Sequence, residues 1–595
     1  MSKYVISHRF FSNVNDLPDK DALLSKIEGK YRGVTYRELG DIVKSIALVL
    51  DSWGIKKGDR VSIISDNREE WVMSDLAIVS TGAVSVPIYP TLTTPQINQI
   101  LKHARPRVIF VANEELLGKI ENIQYKFEHI ILFDAQSIED NISLTAFDAV
   151  KKMGMAIDEE SPKRFKEISD SVQPEDLACI NYTSGTTGDP KGVMLTHKNF
   201  VGDVQNSITV IEIKSSDTFL SFLPLSHVLE RMGGYYVPMI LGATIGFAES
   251  IETVVANMAE VRPTIVISVP RLFEKIYSTV MSGVEQGSGL KRTIFYWALR
   301  AGKARMDSEL TGTPLTRGQL RRIKWADKLV FSKLQTKTGG RLTRFVSGGA
   351  PLSKEIAEFL WSAGLKVYEG YGLTETSPVI TVNGPGNAKL GSVGIAIPET
   401  QFKIDEDGEI LVKGPQVMEG YYKNEVATKE VIDSDGYLHT GDIGYFDDDG
   451  FLFITDRKKN ILVTAGGKNV APQPIEESIK LSKYISYAVL IGDRKSFISA
   501  LIVIDQESIK EWAKSQDVSV EPYDSFIKLP EVYRLIEDEI EQQTSHFSHF
   551  EKVKKFKIVP RDFTIEGNEL TPSLKVRRKV VMEEYNDLIE EIYSD

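Results

Sequence analysis

Val61-Ser62-Ile63-Ile64-Ser65 is an apolar run of strand length, and the chain around it repeats one pattern. A helix-periodic stretch follows over 68–82, a second strand run over 83–89, another helical stretch over 94–105 and a third strand over 108–112. This alternation predicts βαβ units. Such units build a parallel sheet covered by helices, with ligands at the carboxyl ends of the strands. The alternation resumes near Leu177 and runs past Val367, so the expected fold class is α/β. From about Gly408 the texture changes to short strands punctuated by Asp407-Gly408, Asp435-Gly436 and Asp449-Gly450, which predicts a β-rich subdomain. Beyond Asp456 a smaller α+β pattern follows, with strands over 488–491, 500–504 and 557–559 and helices over 529–543 and 576–592. The expected division is a large domain over 1–455 and a small mobile domain over 456–595, joined by a short hinge at Asp456.

A length of 595 residues exceeds one compact domain, and 42% hydrophobic with 26% charged residues excludes wholesale disorder. The net charge of −12 argues against a nucleic-acid partner. Cys179 is the only cysteine, which excludes an internal disulfide and any Cys-rich metal or cluster site carried by this chain alone. The start lacks the order of a signal peptide, and no run of about 18 apolar residues is present. The expected location is cytoplasmic, with peripheral contact to the inner face of a membrane as an extension of that reading. Oligomeric state stays open, a homodimer being one option.

The strongest chemical signal is Tyr182-Thr183-Ser184-Gly185-Thr186-Thr187-Gly188-Asp189-Pro190-Lys191-Gly192, after an apolar strand. Small residues let backbone N–H groups approach an anion, hydroxyls add donors and Lys191 adds charge, so the loop suits a polyphosphate. Pro190 stands where a Walker A loop needs glycine.

This loop resembles the phosphate loop of the adenylate-forming superfamily of acyl-CoA synthetases, adenylation domains and beetle luciferases. Further blocks follow in that family's order: Leu223-Pro224-Leu225-Ser226-His227, Gly348-Gly349-Ala350-Pro351, Tyr371-Gly372-Leu373-Thr374-Glu375-Thr376, His439-Thr440-Gly441-Asp442, Asp456-Arg457-Lys458-Lys459-Asn460 and Leu570-Thr571-Pro572-Ser573-Leu574-Lys575. The resemblance implies ATP-driven activation of a carboxylate, a poor electrophile until it carries AMP. Bringing a carboxylate onto a phosphate opposes like charges, at roughly 4 kcal/mol per unit pair at about 4 Å and an effective dielectric of about 20. Lys191, Lys575 and a Mg²⁺ held by Glu375 are the implied cations, with Thr374 on the phosphate or the metal shell. Asp442 is implied to accept from the ribose hydroxyls with help from Arg457, and Gly349, Ala350 and Tyr371 to line the adenine pocket. His227 is implied to lie between the carboxylate and the phosphate loop. Gly466-Gly467-Lys468-Asn469 resembles the loop that meets CoA only during thioester formation, after one hinge motion exchanges it for Lys575.

Two departures stand out: Asn460 replaces a more usual Asp, and Pro572-Ser573-Leu574-Lys575 replaces the Ser-Gly-Lys of many short-chain members. The second points to the long-chain branch, as does the long stretch between Val269-Pro270-Arg271-Leu272-Phe273-Glu274-Lys275 and Gly348. Gly234, Tyr235 and Tyr236 are expected either to line an acyl tunnel or to pack in the core. The expected function is a long-chain fatty acid:CoA ligase, forming acyl-AMP and pyrophosphate, then acyl-CoA and AMP. Two alternatives stay open: a fatty acyl-AMP ligase serving a carrier protein, and a silent fatty-acid-binding protein on the same fold. Between Lys291 and Arg344 fourteen lysines and arginines face three acidic residues, which fits either a basic surface for an anionic membrane or a solvated helical insertion.

Overall fold

The run around Val61 forms the strand Arg60–Ile64, flanked in parallel by Val84–Ile88 and Val108–Val111. The intervening helix Glu69–Ser80 is buried from Trp71 to Ser80, as expected of a helix enclosed by the core on all sides. In the computed structural model, residues 4–121, 125–135, 144–183, 190–516, 518–520, 523–571 and 575–594 are described. Arg60–Ile64 belongs to an eight-stranded sheet that is parallel through Leu144–Ala146, His129–Leu132, Val108–Val111, Arg60–Ile64, Val84–Ile88 and Leu177–Thr183. Lys191–Thr196 and Gly420–Tyr421 close that sheet antiparallel. A nine-stranded sheet has a parallel centre, Val367–Gly372, Arg344–Ser347, Ile265–Ser268, Thr218–Ser221, Thr244–Phe247 and Asp21–Ile27, with antiparallel strands at both edges. One apolar core runs through both sheets, from Val61 and Trp71 to Phe219 and Ile245. The α/β reading therefore holds.

The β-rich part is a four-stranded antiparallel sheet, Gln401–Ile404, Glu409–Lys413, Leu438–Phe446 and Leu452–Arg457. Its turn residues Gly408, Gly436 and Gly450 have φ of 85°, 81° and 82°, a region costly for a side chain, as the Asp-Gly pairs foretold. The C-terminal sheet, Ile485–Ile491, Ser499–Ile504 and Lys555–Ile558, carries one apolar cluster on each face. The single helix expected over 576–592 is two, Arg578–Glu584 and Asn586–Ser594. They break at Tyr585, whose buried ring packs beside Phe563 and lets Val581 and Ile589 share one cluster. Asp456 lies within the strand Leu452–Arg457, opposite Ile443, so the expected boundary falls at the end of that sheet. The basic stretch is helical: Gly289–Thr311, Arg317–Ala326, a π-turn Asp327–Phe331 and Ser332–Lys337. Among the described residues no helix is long and apolar enough to cross a membrane.

Candidate active site

Leu177–Thr183 pairs antiparallel with Lys191–Thr196, setting Thr183 opposite Lys191 at the base of the phosphate-type loop. Ser184, Gly185, Thr186, Thr187 and Gly188 lie outside the described residues. The Lys191 ammonium stands 4.9 Å from the centre of the Tyr421 ring. The Tyr421 hydroxyl in turn donates to Glu375 Oε1 at 2.8 Å. Glu375 sits in the 3-10 turn Thr374–Thr376 that follows the central strand Val367–Gly372. Gly372 admits no side chain, because a Cβ there would lie 1.6 Å from the Pro378 carbonyl oxygen. The strand therefore turns sharply and presents Thr374 and Glu375 at its carboxyl end. One oxygen of Glu375 takes the Tyr421 hydrogen bond, and the carboxylate keeps acceptor capacity for a hard cation, so its chemistry fits Mg²⁺. Asp405, Asp407 and Glu409 also approach one another, but Lys458 already pairs with Asp407 and Glu409 and offsets part of their charge.

Asp442 and Arg457 face each other across two antiparallel strands. The Tyr371 hydroxyl donates to Asp442 Oδ2 at 2.6 Å and Arg457 Nε lies 3.2 Å from Oδ1, so the buried carboxylate is held by both. Burial, then the neighbouring Asp442 charge, raises the Tyr371 phenol, which stays a donor. Lys575 is pushed down to about 8 by burial and by Arg457, against an opposing pull from Asp442. Lys459 is lowered by burial and then by Arg457. Burial, with Lys575 second, pushes His227 down to about 3. His227 is thus neutral, and its Nδ1 accepts from the Leu229 amide at 3.2 Å, which leaves the proton on Nε2.

These groups share one cavity of about 2530 Å³, lined by Thr183, Lys191, His227, Gly349, Ala350, Pro351, Tyr371, Gly372, Thr374, Glu375, Asp442, Arg457 and Lys575. Gly349, at φ 81°, would set a Cβ no nearer than 3.7 Å to any neighbour, so it is backbone conformation that calls for glycine there. The lining of the same cavity also includes the apolar residues Ile211, Val228, Met232, Ile267 and Val269, with Gly233 among them.

The expected tunnel residues Gly234, Tyr235 and Tyr236 do not line it, and the core-packing alternative is the one realised. Both tyrosines are 0% exposed and donate to Asp75 Oδ2, at 3.1 Å from Tyr235 and 2.9 Å from Tyr236. Asp75 is also ion-paired with the fully buried Arg231. A buried carboxylate needs every acceptor site filled, and these hydroxyls fill them. A Cβ on Gly234 would meet the Glu230 carboxylate at 2.4 Å, so this glycine serves packing.

Gly466, Gly467 and Lys468 form the exposed tip between strands Leu462–Val463 and Asn469–Val470, outside the cavity that Lys575 enters. Lys480 reaches Glu274 at 3.3 Å and Lys483 reaches Glu285 at 2.7 Å, tying the C-terminal region to helix Pro270–Glu285 in this orientation. Asp456 accepts from the Arg457 amide at 2.6 Å and the Gln473 amide at 3.1 Å, anchoring the junction on both sides.

Three residues were missed in the sequence. Tyr421 belongs to no quoted block, and nothing local marks it as a partner of Glu375. Asn67 donates to Leu223 O at 2.6 Å and accepts from the Leu225 amide at 2.9 Å, clamping the segment that leads to His227. Lys459 lay inside a quoted block, and only its position in the cavity reveals its use. Cys179 is buried with its thiol pushed up to about 12, so it is chemically inert.

Comparison with known proteins agrees with this geometry. Residues 10–422 match the family described as AMP-binding enzyme, and residues 459–595 match AMP-binding enzyme C-terminal domain. The long-chain-fatty-acid–CoA ligase FadD15 of Mycobacterium bovis is 37% identical over 98% of this chain and 96% of its own length. The peroxisomal long chain acyl-CoA synthetase 6 of Arabidopsis thaliana is 34% identical, covering 95% and 82%. Among solved structures, the A domain of carboxylic acid reductase from Segniliparus rugosus, in complex with AMP and a co-purified carboxylic acid, aligns with TM-score 0.76 at 22% identity, over 99% of this chain and 94% of that one. The anthranilate CoA ligase AuaEII bound to anthranoyl-AMP aligns with TM-score 0.71 at 20% identity, over 98% and 99%. Matched along nearly its whole length by family, relatives and fold, the chain belongs to the AMP-binding enzyme family of adenylate-forming proteins.

Proposed function

We propose that this protein is a long-chain fatty acid:CoA ligase that makes acyl-AMP and pyrophosphate from ATP and a fatty acid, then acyl-CoA and AMP. The observation that carries the reading is that one cavity is lined both by Lys191, Lys575, Glu375 and Asp442 and by the apolar Ile211, Val228, Met232, Ile267 and Val269. Lys191 and Lys575 offset the repulsion between carboxylate and α-phosphate, and neutral His227 stands beside them without adding to or removing charge. Asp442, oriented by Tyr371 and Arg457, holds the ribose hydroxyls, and the Gly349–Pro351 segment with Tyr371 forms the adenine pocket. Glu375 would hold a Mg²⁺, which would supply charge neutralisation at the phosphates. Each CH₂ buried along the apolar walls adds about 0.8 kcal/mol, which favours long chains.

The test is AMP release dependent on both CoA and a fatty acid across a saturated series from eight to eighteen carbons. Release with purified carrier protein in place of CoA would support the acyl-AMP ligase alternative, and failure to exchange pyrophosphate into ATP would support a silent fatty-acid-binding protein.

A pH dependence follows from Lys575. Its cationic form is the working one and its pKa is lowered to about 8, so charge is present below that value and lost as pH rises through it. For adenylate formation kcat/KM is expected to fall about tenfold per pH unit above it, read by pyrophosphate exchange. In Lys575→Arg the guanidinium stays charged, and this limb is expected to vanish.

The residues from 456 onward act as a mobile unit that turns at Asp456 to exchange Lys575 for Gly467, excluding water from acyl-AMP. In the present orientation nothing lies within 4 Å of a Cβ on Gly467. Gly467→Leu should therefore leave acyl-AMP formation intact and slow thioester formation about a hundredfold by displacing the pantetheine arm. Accumulation of acyl-AMP without CoA consumption is the expected signature; normal acyl-CoA yield would remove this loop from the second step.

The proposal extends to location: a cytoplasmic enzyme with peripheral contact to the anionic inner face of a membrane, the phase in which a long-chain acid dissolves.

A further inference from the structure

Helix Arg317–Ala326 and the π-turn Asp327–Phe331 bury Ile323, Ala326 and Phe331 against helix Gly289–Thr311, at Ala298 and Ala301. Their opposite side combines two kinds of side chain that soluble surfaces keep apart. Leu320, Trp325 and Leu329 are 52%, 56% and 48% exposed. Arg317, Arg321, Lys324 and Lys328 are exposed at the three- and four-residue spacing that puts them on one helical stripe, with Leu320 on one flank of it and Trp325 and Leu329 on the other. The Lys328 ammonium lies 5.7 Å from the Trp325 ring centre, so cation and aromatic occupy the same outward face. Seven lysines and arginines occupy residues 317–337, and the one acid, Asp327, is already paired with Arg305 at 2.9 Å. The patch stays cationic within a chain of net charge −12.

We infer that this face docks on an anionic lipid bilayer, lying in the plane of the headgroups. Three observations select that occupant. The charge is complementary to anionic headgroups, which attract each nearby Lys or Arg. The exposed tryptophan is of the amphipathic type that settles at the headgroup level, and Leu329, on the same flank of the helix, reaches the acyl boundary beside it. A nucleic acid would use the cations and leave the three large apolar side chains in water. The inference rests on the fatty-acid reading only for its purpose, which is to bring the cavity to a substrate dissolved in the bilayer.

The experiment measures cosedimentation of the full chain with vesicles of phosphatidylcholine alone and with 30% phosphatidylglycerol, at low and high NaCl. Binding is expected to the second composition only and to weaken with salt, as the Debye length shrinks from about 10 Å at 0.1 M to about 3 Å at 1 M. Arg321→Gln with Lys324→Gln and Lys328→Gln should lower the partition constant about a hundredfold, the summed effect of three cations. Leu320→Ser with Leu329→Ser should lower it independently of salt. Subtracting the emission of Trp325→Phe from that of the wild type isolates Trp325, whose emission should shift to the blue and be quenched by brominated phosphatidylglycerol. Equal binding to both compositions, unchanged binding of the charge variant, or equal retention on duplex DNA overturns the inference. Acyl-CoA formation from detergent-solubilised substrate should be the same in all these variants. Its absence in the wild type would refute the ligase reading, while the vesicle measurement would still decide the docking surface.

Discussion

Lys575→Ala lowers adenylate formation by about a thousandfold and leaves thioester formation from supplied acyl-AMP near the wild-type rate. The size follows from the roughly 4 kcal/mol of like-charge repulsion that one ammonium in the cavity offsets, about three powers of ten in rate. The selectivity follows from timing, since the cation is needed only while the carboxylate meets the α-phosphate, and the second step has no such encounter. Pyrophosphate exchange reads the first half-reaction and acyl-CoA yield from synthetic acyl-AMP reads the second. Lys575 is half-buried beside Arg457 and Asp442, so a purely structural role would move both readouts together. Equal loss of the two half-reactions is therefore the result that excludes this assignment.

Asp75→Ala destabilises the protein by about 3 to 5 kcal/mol, the usual cost of stranding one partner of a buried ion pair. Arg231 and Asp75 are both 0% exposed, and Arg231 also packs over the Trp71 ring at 5.4 Å. Without the carboxylate, the guanidinium and two tyrosine hydroxyls lose their acceptor in a region water does not reach. The denaturant midpoint of unfolding is the measurement. Asp75→Ala combined with Arg231→Met should recover much of the loss, because an apolar pair strands no charge. Tyr235→Phe should lower stability by about 1 kcal/mol and leave the chain-length profile unchanged. A shifted profile at full stability would return Tyr235 to the acyl pocket.

The alternation of strand and helix around Val61, the Asp-Gly turns of the β-rich sheet and the order of the motif blocks could all be read from the sequence alone. Each is a local property: side-chain period follows from backbone geometry, a tight turn with positive φ favours glycine, and residues at strand ends carry their chemistry with them. That much gave the α/β class and the family. Which face a residue presents within an irregular turn was not local. Gly233 borders the cavity and its neighbours Gly234, Tyr235 and Tyr236 do not, because the π-turn Glu230–Tyr236 is oriented by Asp75, about 160 residues earlier in the chain. A tyrosine that lines a pocket and one that satisfies a buried carboxylate need the same amphipathic ring, so local sequence cannot separate them. The same holds for Tyr421 on Glu375, for Lys575 turned inward while Gly467 faces out, and for the apolar residues exposed among the cations of helix Arg317–Ala326. Each of these depends on contacts between distant segments, which only the packed chain brings within the few ångströms where hydrogen bonds, charges and burial act.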